Sequence, residues 1–230
     1  VVGIDRQKRT IAVHNIHSQQ QSTEAYDVLV LAPGAAPIRP NIEGVDLPGV
    51  FCLRNMEDSD QIHAWLSGRE AERAVVVGAG YVGLEMVENL CRLGMDVTLL
   101  EKMDQAMGPM DPEMLGPLYA RLAQEEVDLR LNCGVERIEQ GREKMLHVVA
   151  GNSSVFPADV VILAAGVRPE VDLARAAGLE IGELGGIRVD DQMRTSDPNI
   201  LAVGDAVEVR DWVTGRWTLV PLAGPASRQG

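Results

Sequence analysis

The chain has little from which to build a disulfide scaffold or a metal centre. Its 230 residues contain three cysteines, Cys52, Cys91 and Cys133, far apart and odd in number. With no CxxC pair and no ligand cluster, they read as free thiols of a reducing cytoplasm rather than as disulfides. The four histidines, His14, His17, His63 and His147, are scattered; no chemistry is assigned to them and no metal is expected. No apolar run approaches the length of a bilayer span. The opening "VVGIDRQKRT" has neither an initiator Met nor a signal-peptide pattern. Positive charge is short too: 21 Lys and Arg against 34 Asp and Glu leave a net charge of −13. Such a surface repels nucleic acid and anionic membrane, so neither is an expected partner.

What is present is an ordinary globular composition, 46% hydrophobic and 24% charged, with room for one large domain or two small ones. It also contains a repeat. "YDVLVLAPGAAP" (Tyr26 to Pro37) and "ADVVILAAGVRP" (Ala158 to Pro169) share six of twelve positions: Asp27/Asp159, Val28/Val160, Leu31/Leu163, Ala32/Ala164, Gly34/Gly166 and Pro37/Pro169. Two aliphatic strands matching by chance is the plain alternative. The Asp before each strand, with the Gly and Pro after it, argues for a duplicated unit.

The strongest local pattern is "AVVVGAGYVGLEMVENLCRLGMDVTLLEK", Ala74 to Lys102. Ala74 to Val77 is a short aliphatic run, expected as a buried parallel strand. It leads directly into Gly78-Ala79-Gly80-Tyr81-Val82-Gly83, a G-x-G-x-x-G. Leu84, Val87, Leu90 and Cys91 then recur at helical spacing, with Gly94 as the stop. Val97 to Leu100 is a second strand, ending at Glu101, 18 residues beyond Gly83. Gly78 permits a tight turn, Gly80 a close approach to a pyrophosphate, and Gly83 close helix–strand packing. The helix start offers unpaired N–H groups and a positive dipole end. Glu101 is placed to accept from the adenosine ribose hydroxyls and to repel a 2′-phosphate, which favours NADH over NADPH; the adjacent Lys102 softens that discrimination. A βαβ unit without a nucleotide is the alternative, although the strand–loop–helix context with a distant acid is what the motif requires.

Further along, Asp111 to Glu126 reads as one helix with an Asp cap and Pro in its first turn, and Val127 to Leu131 as a third strand. Val135 to Ile138, Met145 to Ala150 and Ser154 to Phe156 read as an antiparallel meander turned at Gly141 and at Gly151-Asn152, followed by the strand Val160 to Ala164. The opening fifteen residues resemble such a meander. "PGAAPIRPNIEGVDLPG" reads as a linker and Asp58 to Leu66 as a helix. Gly166 lies 88 residues beyond Gly78; the same distance back from Gly34 falls at position −54. The chain is therefore expected to begin inside a domain whose phosphate loop precedes residue 1.

Together, "YDVLVLAPGAAP", "VVVGAGYVGLE", "VVILAAGVRPE", "TSDPNILAVGDA" and "PLAGPASRQG" resemble the flavin-dependent pyridine nucleotide-disulfide oxidoreductases. The likeness is to the branch with coenzyme A-disulfide reductases and NADH oxidases, and it covers essentially the whole chain. It implies an α/β fold: a Rossmann-like βαβ NAD(H)-binding domain with a β-meander over 41–170, flanked by partial segments of a related FAD-binding domain at 1–40 and 171–230. It also implies that Gly204 and Asp205 face the flavin, Asp205 on the ribityl chain, and that "PLAGPASRQG" begins a helix aimed at it. Tyr81 would lie over the flavin and yield to nicotinamide, with Glu85 near the nicotinamide end; packing and a solvated helix position are the alternatives for these two.

The candidate cofactor-binding residues are thus Gly78, Ala79, Gly80, Tyr81, Val82, Gly83, Glu85, Glu101 and Lys102, with Gly34 and Gly166 after the repeated strands and Gly204 and Asp205 on the flavin side. Pro33 stands where the family usually has Thr. The redox cysteine is expected ahead of residue 1, so no catalytic residue is assigned. The implied activity is hydride transfer from NADH to FAD and on to a disulfide, a persulfide or oxygen, in a cytoplasmic parent that is a homodimer. The 230-residue segment is expected to bind NADH, to hold FAD poorly and to be inactive alone. A non-catalytic NAD(H)-binding or redox-sensing module and a ferredoxin-reductase-like flavoprotein are the alternatives.

Overall fold

Strand Arg73–Val77 shows why this chain makes a two-sided sheet. Ala74 and Val76 pack to one side and Val75 to the other, all at 1% exposure or less. A strand buried on both faces needs a continuous aliphatic run and helices or a second sheet to cover it. The computed structural model describes residues 1–68, 71–141 and 145–230, and it supplies both covers. Five parallel strands lie in the order Val50–Cys52, Val160–Leu163, Arg73–Val77, Asp96–Leu100, Asp128–Arg130.

On one face sit the helices Met56–Ser67, Tyr81–Arg92 and Gly116–Gln124, which bury Ile62, Val87, Leu90 and Leu122 against Ala74, Val76, Leu99 and Ile162. On the other, the antiparallel meander Val135–Gln140, Leu146–Ala150, Val155–Ala158 buries Ile138, Leu146 and Val148 against Val75, Leu100, Val161 and Leu163. Each fully buried Val or Leu contributes about 1.5–3 kcal/mol, so this double cover is the main stabilising element of the unit.

Local signals set the ends. Helix Met56–Ser67 opens with a capping box: Asn55 Oδ1 accepts the Asp58 N–H at 2.9 Å while Asp58 Oδ2 accepts the Asn55 N–H at 3.2 Å. Helix Tyr81–Arg92 stops at Gly94, whose φ of 79° is a left-handed value. The single helix expected over Asp111 to Glu126 is corrected. A 3₁₀ turn, Pro112–Met114, precedes an α-helix that starts only at Gly116. Pro117 has no N–H for an i→i−4 bond, so it is accommodated in a helix's first turn and not in its interior, and Asp111 makes no side-chain cap. The strand Val50–Cys52, which follows the expected linker, is an additional edge of the sheet. In the meander, Gly141 donates its N–H to Met145 O at 2.8 Å; the remainder of that turn lies outside the described residues.

By contact the chain divides into two compact units: Pro37–Gly166, just described, and Val1–Ala36 with Val167–Gly230. The second has a meander of its own, Gly3–Asp5, Thr10–His14, Gln21–Ala25. Leu29–Leu31 pairs in parallel with Ile200–Ala202. Ile187–Arg188 pairs in parallel with Val207–Arg210, which turns back along Trp217–Leu219. Its core gathers Leu31, Ala174, Ile187, Ile200, Ala202 and Val207. Glu208, fully buried, is satisfied by the Arg188 guanidinium at 3.0 Å and the Leu184 N–H at 2.9 Å.

Candidate functional site

The glycine-rich loop leaves the sheet where strand order changes direction. Arg73–Val77 has its successor Asp96–Leu100 on one side and the much later Val160–Leu163 on the other. In open α/β sheets the crevice beyond the carboxyl ends of the strands at such a point is the usual ligand position. Val77 and Leu163 are register partners, so the loop at Gly78 and the one leading to Gly166 emerge side by side. Both glycines have left-handed φ values, 106° and 99°.

Each position in the loop has a steric reason. A Cβ on Gly78 would overlap the Ala164 carbonyl oxygen, and one on Gly83 would overlap the Gly78 carbonyl oxygen. Gly80 has open space around it and caps helix Tyr81–Arg92 without a side-chain bond; no acid lies in the first helical turn. The orphan N–H groups and positive dipole end are therefore left to an outside acceptor.

Glu101 sits at the tip of the next strand. Its Oε2 accepts the Ala79 N–H at 2.7 Å, and its Oε1 accepts the Met103 N–H at 2.8 Å. The carboxylate is thereby fixed beside the loop, and each oxygen retains acceptor capacity. Lys102 is exposed, its stem lying against Gly134. Tyr81 is 54% exposed and Val82 39%, and Glu85 is exposed on the same helix.

Thus Gly78 to Gly83, Glu101 and Gly166 gather at one end of the sheet. Gly34, Gly204 and Asp205 belong to the other unit. There Gly204 (φ 81°) donates its N–H to Gln229 Oε1 at 2.7 Å, and Asp205 lies in the 3₁₀ turn Gly204–Ala206. The segment "PLAGPASRQG" forms the helix Ala223–Gln229. Burial pushes the thiols of Cys52, Cys91 and Cys133 above their ordinary value, so none is a poised thiolate.

Sequence reasoning missed Met107 and Tyr119. Met107 donates its N–H to Ala79 O at 2.8 Å, and Tyr119 OH accepts the Ala106 N–H at 3.2 Å. No local pattern marks either, because both contacts depend on how the segment after Glu101 wraps back.

A doubly covered parallel sheet with a G-x-G-x-x-G turn at its switch point defines a Rossmann-type α/β protein. The chain belongs to the pyridine nucleotide-disulphide oxidoreductase family, whose pattern it matches over residues 1–230. It is 43% identical over 206 residues to the NADH oxidase of Methanocaldococcus jannaschii, covering 89% of this chain and 45% of that protein. Among solved structures, the reduced CoADR-RHD of Bacillus anthracis superposes with a TM-score of 0.94 at 43% identity, covering 100% of this chain and 41% of that one. An NAD-dependent persulfide reductase from A. fulgidus gives 0.92 at 39%, covering 99% and 41%. The chain spans about half the length of the curated relatives it matches.

Proposed function

We propose that these 230 residues are the nicotinamide-coenzyme portion of an FAD-dependent NAD(P)H oxidoreductase whose terminal acceptor is a disulfide, a persulfide or oxygen. In this reading 41–170 is the NAD(H)-binding domain, and 1–40 and 171–230 are segments of the FAD-binding domain. The names of the similar proteins support the acceptor classes. The parent is a cytoplasmic homodimer; three unpaired cysteines suit a reducing compartment, and the net charge of −13 argues against nucleic acid or anionic membrane as partner.

The carrying observation is the Glu101 carboxylate, fixed by the N–H groups of Ala79 and Met103 next to an uncapped helix start. The residues fit a dinucleotide. Gly80 leaves room for a diphosphate, the first-turn N–H groups of helix Tyr81–Arg92 donate to it, and Glu101 accepts from the adenosine ribose. When bound, the nicotinamide supplies a hydride and the flavin receives it. The chain's own part is positioning: the loop anchors the diphosphate, and Tyr81 and Glu85 border the nicotinamide end. On the flavin side Asp205 accepts from the ribityl chain, and Gly34 and Gly166 let the backbone pass close to the cofactors. The 230 residues contain one G-x-G-x-x-G, so a second diphosphate has no matching loop and FAD is held weakly.

Calorimetric titration of the purified chain with NADH and NADPH tests this. NADH should bind at least about tenfold tighter, about 1.4 kcal/mol, and Glu101→Ala should bring the two together. Equal affinities in the wild type would refute the role of Glu101, and a yellow, flavin-loaded preparation would refute weak FAD retention.

A further inference from the structure

Both peptide groups that flank Ala79 are held. Its N–H goes to Glu101 Oε2 at 2.7 Å, and its carbonyl oxygen receives the Met107 N–H at 2.8 Å. Met107 makes this bond from a left-handed backbone, φ 47°, and is buried, at 6% exposure. A long unbranched side chain rarely takes this conformation, and such outliers persist where surrounding contacts over-determine them.

The over-determining contacts are visible. Met110 N–H closes a turn onto Met107 O at 2.8 Å, Gln105 Nε2 reaches Met110 O at 2.9 Å, and the fully buried Ala106 donates its N–H to Tyr119 OH at 3.2 Å. Tyr119 lies on helix Gly116–Gln124 and packs into the helix-side core. Its hydroxyl is the one link in this chain of bonds that comes from a separate element.

We infer that Tyr119 is a positioning residue for the dinucleotide loop, an inference that rests on the NADH-binding reading above. Its hydroxyl holds Ala106, Ala106 places the Met107 N–H, and that N–H fixes the plane of the Ala79–Gly80 peptide, which carries the Gly80 N–H. The orientation of Ala79 in turn aims the amides of Gly80 and the first helical turn. Glu101 has a second anchor, the Met103 N–H, so the ribose side of the site does not depend on Tyr119.

The test compares NADH with adenosine as probes of the wild type and of Tyr119→Phe, NADH by calorimetry and adenosine by amide chemical shifts. Tyr119→Phe keeps the ring and removes one acceptor; it should weaken NADH about five- to tenfold and leave adenosine within about twofold. Equal weakening of both probes makes Tyr119 a general structural residue and overturns the inference, as does unchanged NADH affinity. If the wild type fails to bind NADH, the functional reading itself falls and takes the inference with it. Amide exchange in the wild type gives an answer even if the variant does not fold. On saturation with NADH, the Ala106 and Met107 amides should gain protection together with Ala79 and Gly80; a gain confined to Ala79 and Gly80 contradicts the coupling.

Discussion

The two copies of the repeat carry nearly the same residues into opposite environments. In the second, Val160–Leu163 runs between two parallel neighbours and every residue is buried. In the first, Leu29–Leu31 pairs, among the described residues of this 230-residue chain, with Ile200–Ala202 alone, and Val28 and Val30 are 58% and 55% exposed there. Val28 and Val160 are the same residue at the same place in the repeat, one bare and one at 0% exposure.

The aspartates diverge likewise. Asp159 accepts the Arg73 N–H at 2.9 Å, the Glu72 N–H at 3.1 Å and the Arg73 guanidinium, tying the starts of two strands together. Asp27 has no hydrogen bond or ion pair among the described residues. Only the turn is shared in full: Gly34 and Gly166 both take left-handed φ values, and Leu31 and Leu163 are both buried. Composition of a strand therefore does not decide its burial; the elements on either side do.

That comparison can be broken by experiment. The largest effect is expected at Val160→Ala, which empties space inside the doubly covered sheet and should cost about 2–3 kcal/mol. Val28→Ala should stay within about 0.5 kcal/mol. Urea unfolding of both variants decides, and equal losses would mean that something covers the first copy.

Next comes Asp159→Asn, at about 1–2 kcal/mol near neutral pH, with Asp27→Asn close to wild type. The pH profile sharpens this. Burial pushes the Asp159 carboxyl up, but the Arg73 and Glu72 hydrogen bonds outweigh it and leave it below its ordinary 3.8. A group lowered in the folded state stabilises above its unfolded value, and that contribution is lost as pH falls through the folded one. Below about pH 4, then, wild type and Asp27→Asn should lose stability more steeply than Asp159→Asn in thermal melts. Parallel curves would remove Asp159 from the account.

The smallest effect should be the common one. Gly34→Ala and Gly166→Ala each force a side chain into left-handed backbone without a close clash and should each cost about 1 kcal/mol. A difference of more than about 1 kcal/mol between them would show that the turns are not equivalent.

Much of this architecture was legible beforehand. The aliphatic run before Gly78, the helical spacing after it and Glu101 at the next strand's tip announce the Rossmann unit, and the meander follows from its turn residues. Val50–Cys52 was not legible, being three residues at a sheet edge with no alternation to read. The break in the expected helix, just before Gly116, is marked in the sequence by Pro117 alone, a residue that fits a first turn. The unequal burial of the repeat copies is not written in their own residues, because it depends on which strands pair with each. The same holds at the site: the spacing exposes Glu101, but its bonds to Ala79 and Met103, and the left-handed Met107, arise only when the following segment folds back.

The most direct measurement of the central claim is an amide-resolved NMR titration of the 230-residue chain with NADH. The account predicts saturable shifts concentrated at Gly78 to Gly83 and at Glu101 to Met103, with residues of the meander Leu146 to Ala150 unmoved. Saturable binding that leaves the glycine loop untouched, or no saturation at millimolar NADH, would contradict it.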